Sequence, residues 1–135
     1  MIKYINTLEN VSENNLKGFF VDWPNAPSTK KHKEILENSS YIWLAIDDEN
    51  NDVVGFITAI SDKIISAYIP LLEVLPSYKG KGIGTRLTEL MLESLKDFYM
   101  IDLLCDEDVM PFYRRLNMFG VKGMCIRNYS TQNAE

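Results

Sequence analysis

The stretch Val74-Leu75-Pro76-Ser77-Tyr78-Lys79-Gly80-Lys81-Gly82-Ile83-Gly84 decides how this chain is read. A strand-like segment leads into it. Helical spacing of Ile83, Leu87, Leu90, Met91 and Leu95 leads out of it and predicts one buried helix face between Gly82 and Lys96. Gly80, Gly82 and Gly84 have no Cβ, so their main chain can approach an anion closely. A helix starting near Gly82 points the positive end of its dipole at the same place. Lys79 and Lys81 add mobile positive charge. Such a site suits a pyrophosphate.

Spacing separates the phosphate-binding patterns. A P-loop needs Gly-Lys followed by Ser or Thr, and no Gly-Lys here has that sequel, since Gly82 follows Lys81. A dinucleotide fingerprint, G-x-G-x-x-G, begun at Gly80 or at Gly82 needs a glycine where Thr85 or Leu87 stands. What remains is Arg/Gln-x-x-Gly-x-Gly/Ala, here Lys79-Gly80-Lys81-Gly82-Ile83-Gly84, with Val74-x-Pro76 ahead of it and an aromatic residue at Tyr78. This resembles the coenzyme A pyrophosphate loop of the Gcn5-related N-acetyltransferase (GNAT) family. A second segment, Phe112-Tyr113-Arg114-Arg115-Leu116-Asn117-Met118, is similar to the family's Phe-Tyr-x-x-x-Gly-Phe. Asn117 stands for the usual glycine and tolerates the same left-handed helix terminus. The resemblance runs from about residue 41 to residue 119.

Composition is consistent with that frame. The chain has 135 residues, 46% of them hydrophobic, enough for one domain over 1–135 with one good core. A net charge of −5 argues against a nucleic-acid footprint, which would be basic. No apolar run nears 18 residues and no signal peptide is visible, so no membrane span is expected. Cys105 and Cys125 lie in apolar surroundings without metal-type spacing. They read as reduced core thiols of a cytoplasmic protein, with no metal expected.

Along the chain, Met1 to Leu8 reads as a strand, and Ser12 to Phe20 as a short helix with Leu16, Phe19 and Phe20 on one face. Asp22 to Pro27 reads as a loop, and Ser28 or Thr29 caps a polar helix to about Glu37. His32 falls there among lysines and reads as a surface residue. Strands follow at Tyr41–Ile46, Val53–Ile60 and Ile64–Leu75, with a hairpin turn at Ser61-Asp62-Lys63. Pro70 cannot donate to a ladder, so a bulge or splayed edge is expected there. Met100 to Cys105 reads as a fifth strand, Asp108 as the cap of a helix through Leu116, and Met124 to Tyr129 as a final strand. The predicted fold is α/β (α+β): a GNAT-like three-layer domain with a mostly antiparallel mixed sheet between helices.

The resemblance implies acetyl transfer from acetyl-CoA to an amine by direct attack. The pyrophosphate would fall to the amides of Gly80, Lys81, Gly82, Ile83 and Gly84, with Thr85 next to them and Lys79 assisting. The pantetheine arm would lie along Glu73, Val74 and Leu75, with a backbone N–H near Val74 facing the developing oxyanion. Tyr113 is the implied acid for the leaving thiolate, a phenol neutral at pH 7. Glu73, the only carboxylate on the strand that feeds the loop, is the candidate base. Asp106 stands where the family often carries an asparagine touching the pantetheine arm, and it also suits a helix cap. Phe20 and Trp23 lie in the region that walls the acceptor site. The expected partners are a small-molecule or peptide amine acceptor, with no nucleic acid and no membrane, in a monomer or homodimer. The alternative reading is a non-catalytic acyl-CoA-binding regulatory or partner-binding module.

Overall fold

The computed structural model describes residues 1–135. Five strands form one sheet in chain order: β1 (Ile2–Ile5), β2 (Tyr41–Asp47), β3 (Asp52–Ser61), β4 (Ser66–Val74) and β5 (Met100–Asp102). All neighbours pair antiparallel except β4 and β5, which are parallel. A parallel pair needs a crossover, and α2 (Ile83–Ser94) supplies it. The other helices are α1 (Thr29–Asn38) and α3 (Met110–Arg114). This is the mixed, mostly antiparallel sheet between helices that the sequence predicts.

The strand period sorts the core onto two faces. Ala45, Val54, Ile57 and Ala59 pack with Ile83, Leu87, Met91 and Leu95 of α2. Leu44, Ile46, Val53 and Phe56 face the other way, toward Leu16, Phe20 and Leu36. A register shift at Ala45/Ile46 breaks the alternation of β3, so Val54 and Phe56, two residues apart, serve opposite faces. Gly55 allows α2 its close approach: a Cβ there would lie 3.1 Å from both Ile83 Cγ2 and Leu87 Cδ1.

Pro70 sits in the irregularity expected of it. Thr58 pairs with Leu71 and Ile60 with Tyr68, so β4 has one residue more than β3 across that step. The same place ends the pairing of β4 with β5, which covers only Ser66–Tyr68 against Met100–Asp102. Beyond Tyr68 the two strands part.

Several expected elements differ. The first helix is one turn of 3₁₀ helix, Glu13–Leu16. Gly18 (φ +92°) and Phe20 (φ +62°) then take left-handed conformations that no helix continues. The fifth strand stops at Asp102 instead of Cys105. Neither Asp108 nor Asp106 makes a side-chain capping bond, and α3 starts after a 3₁₀ turn at Glu107–Val109. The final strand does not form within the chain, and Phe119 to Arg127 makes no backbone hydrogen bond. Cys105 and Cys125 are both exposed, because the strands meant to bury them are shortened or absent. His32 is buried at 1% exposure, with its ring 4.4 Å from that of Phe56 and close to Phe19 and Phe20. The spacing of His32 and Leu36 puts both on the inward face of α1.

Candidate active site

The loop after β4 is a row of free donors. No amide from Gly80 to Thr85 donates to a protein acceptor, while Arg86 begins the ladder of α2 by donating to Gly82 at 3.0 Å. Gly80 and Gly82 hold φ of +77° and +79°, which turns consecutive N–H groups outward. A Cβ at either would meet nothing within 4 Å, so the space above the loop is open. The Ile83 side chain is buried in the core, leaving only its amide for a ligand. Two contacts steady the loop. The Tyr78 hydroxyl donates to Asp47 Oδ2 at 2.6 Å, and Lys81 Nζ lies 5.4 Å from the Tyr78 ring centre. That hydroxyl is the main reason the Asp47 carboxyl titrates below its ordinary range.

From the loop a cleft of about 1130 Å³ opens along the splay of β4 and β5. Pro70 to Glu73 line one wall and Ile101 to Asp106 the other, with Lys79 at the loop end and Tyr113, Val21 and Trp23 around the middle. The β4 ladder decides which main-chain groups face it. The Leu75 amide donates to Val54 at 2.8 Å and its carbonyl accepts from Tyr78 at 2.9 Å, so both Leu75 groups are engaged. Antiparallel alternation then turns the Val74 amide away from β3 and into the splay.

Glu73 carries a contact that no short-range pattern announces. Its Oε1 accepts from the Phe20 amide at 2.8 Å and its Oε2 from the Val21 amide at 3.2 Å. The carboxylate therefore holds the front loop against the cleft. Phe20 itself does not line the cleft, contrary to expectation. Its ring is buried among His32, Phe56 and Trp23, where apolar burial favours it. Trp23 does line the cleft and is 38% exposed. The Asn25 amide, donating to Gln132 Oε1 at 2.9 Å, ties this loop to the end of the chain.

Tyr113 is set by a helix terminus. Asn117 takes φ +67°, Met118 donates to the Tyr113 carbonyl at 3.2 Å, and Asn117 donates to the Arg114 carbonyl at 3.1 Å. These are the two bonds of a Schellman cap, with asparagine in the left-handed position. Burial, and to a lesser degree Cys105, pushes the Tyr113 phenol above its ordinary range. Asp106 is exposed on the cleft wall. The cleft thus brings together Glu73, Lys79, Asp106, Tyr113 and Trp23. Phe56, Met110, Arg114 and Met118 to Cys125 also line it and were not legible as site residues. Met118 to Cys125 reach it through the path of the chain after α3, whereas Phe56 comes from β3 and Met110 and Arg114 from α3.

Comparison with known proteins agrees with this geometry. Residues 8–118 match the Acetyltransferase (GNAT) family. The chain is 35% identical over 112 residues to an uncharacterized N-acetyltransferase, ycf52, of Pyropia yezoensis, covering 77% of this chain and 64% of that protein. It is 32% identical over 118 residues to the histone acetyltransferase TAP1 of Glycine max, covering 77% of this chain and 51% of that one. The chain thus spans about half to two-thirds of the length of these curated relatives. A crystal structure from Deinococcus radiodurans R1 superposes with a TM-score of 0.95 at 41% identity, covering 98% of this chain and 92% of that one. No helix is long and apolar enough to cross a membrane.

Proposed function

This chain belongs to the acetyltransferase (GNAT) family, and we propose that it moves the acetyl group of acetyl-CoA to a primary amine by direct attack in a ternary complex. The observation that carries this reading is the unbroken row of free amides from Gly80 to Thr85, at the head of α2 and at the mouth of the splayed cleft. Such a row fits a pyrophosphate, whose oxygens need several donors at once. Lys79 and Lys81 add charge at the same place.

When bound, acetyl-CoA supplies the thioester acetyl group, and the rest of the chemistry belongs to the chain. The Val74 amide, fixed by the β4 ladder, donates to the acetyl oxygen as charge develops there. One such donor is worth ~3 kcal/mol. The Tyr113 phenol gives its proton to the departing sulfur, and its raised pKa keeps that proton in place at neutral pH. Glu73 keeps lone pairs beyond those used by Phe20 and Val21, and it takes the proton of the incoming ammonium directly or through water. Asp106 borders the pantetheine path, and Trp23 walls the acceptor side. The acceptor panel should include protein lysines, since one relative is named a histone acetyltransferase, beside polyamines and small amines.

A thermal melt with acetyl-CoA, ATP and NAD tests the donor. A ligand at 100 times its Kd adds ~2.7 kcal/mol, a shift of several degrees. A rise with acetyl-CoA alone supports the reading and opens an amine screen by CoA release. No shift at millimolar acetyl-CoA removes it.

A further inference from the structure

His32 is a polar ring in an apolar place. It is 1% exposed, and neither Nδ1 nor Nε2 has a hydrogen-bond partner. A buried polar group left unpaired opposes folding, and a leucine of similar volume would fill the space without that cost. What histidine has and leucine lacks is a proton equilibrium near neutral pH.

The neighbours of His32 tie that equilibrium to the cleft. Its ring centre lies 4.4 Å from that of Phe56, 4.9 Å from Phe20 and 5.3 Å from Phe19. Phe56 lines the cleft from β3. Phe20 faces two ways: its ring rests on His32 and on Trp23, and its amide donates to Glu73 Oε1 at 2.8 Å. The turn that carries it has little else to hold it. Gly18, Phe20 and Asp22 take φ of +92°, +62° and +66°. From Gly18 to Pro24 the one backbone–backbone hydrogen bond joins Trp23 to Phe20 at 3.2 Å.

No charge stands ready to offset a proton on His32. Phe19 and Phe20 face it from the front turn and Phe56 from β3, and none of them titrates. On α1 itself, Lys31 is paired with Glu34 at 3.2 Å, and Lys33 is a further cation. Asp22 is exposed beyond the turn. Glu73 of β4 spends its carboxylate on the Phe20 and Val21 amides. Burial is the single cause that lowers the His32 pKa.

We propose that neutral His32 is a positioning residue of the cleft: it seats Phe20, so that the Phe20–Val21 turn stays closed on Glu73, and its protonation opens that turn. An imidazolium has two N–H donors, and the cluster offers only ring faces. Attraction of a cation to those faces replaces only part of the lost water. The charged ring therefore leaves the cluster, and Phe20 loses its seat. The consequence for Glu73 as the base rests on the acetyltransferase reading above; the opening itself does not. In the closed state the ring ionises at about 4, and in the open state water restores the ordinary 6.5. The open-to-closed ratio is therefore constant above pH 6.5. Below it the ratio climbs about tenfold per pH unit at its steepest, toward a limit of roughly 300-fold.

Hydrogen exchange and NMR on the unliganded chain test the opening without any assay of transfer, so they can fail while the acetyl-CoA melt succeeds. His32 is the one histidine in the chain, so its ring protons report a single titration. Corrected for intrinsic exchange, the protection of the Phe20 and Val21 amides should fall roughly twentyfold from pH 7 to pH 5. It should stay below that of the Phe56 amide throughout, which makes the opening local. His32→Leu, with an unchanged far-UV spectrum, should show no such fall. Protection that is flat with pH in the wild type overturns the proposal, and that result needs no variant. So does an equal fall in His32→Leu, or turn amides that exchange no faster than Phe56. A His32 ring that titrates near 6.5 while the turn stays protected overturns it as well.

Discussion

The two ends of the cleft are built by different means. At the glycine-loop end, proposed above to hold the pyrophosphate, one run of residues makes the whole site: Pro76 turns the chain, Gly80 and Gly82 orient the amides, and α2 begins at Ile83. At the other end, proposed above as the acceptor side, every element is held by a residue far away in sequence. Glu73 holds the Phe20–Val21 turn across 53 and 52 positions, and Gln132 holds Asn25 across 107. A site made by one short segment depends on local backbone conformation. A site made by distant contacts depends on each contact in turn.

The largest effect should come from breaking the local end. At φ +79°, Gly82 holds a conformation that costs a side-chain residue about 1–2 kcal/mol. The new side chain would also enter the open space above the loop. Gly82→Val should abolish the acetyl-CoA-dependent rise in melting temperature and leave the unliganded melt lower by only a few degrees. A full acetyl-CoA shift in this variant would show that the amide row does not hold the pyrophosphate.

The next effect sits behind the acceptor end. Burial lowers the His32 pKa to about 4, against 6.5 in the unfolded chain, and neither ring nitrogen has a hydrogen-bond partner. Between those values the unfolded state binds more protons, so stability is complete above pH 6.5 and declines as pH falls toward 4. The loss from this residue approaches about 3 kcal/mol. Denaturant melts from pH 7 to pH 4 should show that slope in the wild type, and His32→Leu should flatten it. An equal slope in both proteins would show that His32 is not the group being titrated.

Chemistry at the seam of the two ends ranks third. Tyr113→Phe keeps the ring and removes the proton donor. Turnover should drop by roughly 10²-fold, the lower range for a positioned acid, with the acetyl-CoA melt shift intact. Equal loss of binding and turnover would instead make Tyr113 part of the cofactor wall.

The same contrast explains what the sequence revealed. The glycine-rich turn at residues 80–84, the crossover helix and the asparagine-capped turn after Tyr113 were legible because their physics is local: glycine at positive φ, a 3.6-residue period and a Schellman cap. The bulge at Pro70 was legible for the same reason, since proline lacks a ladder donor. His32 was hidden by the lysines around it, although His32, Ile35 and Leu36 follow helical spacing on one side of α1. Phe20 was assigned to the acceptor wall by its position in the chain, yet its ring went to the largest aromatic cluster available. Met124 to Tyr129 reads as a strand in the sequence, but a strand also needs an edge to pair with, and Phe119 to Arg127 makes no backbone hydrogen bond in the structure.

The smallest expected effect is the one that separates the two roles of Glu73. Glu73→Gln keeps the volume and one carbonyl oxygen, so one of the two amides of Phe20 and Val21 keeps an acceptor and the other meets an NH₂ donor. If the carboxylate only positions the loop, the variant should raise the KM for the amine by about tenfold, the equivalent of about 1.4 kcal/mol, with kcat and its pH profile nearly unchanged. If the carboxylate also takes the ammonium proton, kcat should fall as well. Because Phe20 and Asp22 hold left-handed φ values of 62° and 66°, the loop has stored strain to release once its clamp is weakened. Its amides should then exchange faster in the variant under either role. That readout fixes the structural part, and the split between KM and kcat reports the chemical part. The two ends of the cleft would prove independent only if Glu73→Gln left the acetyl-CoA shift as large as in the wild type.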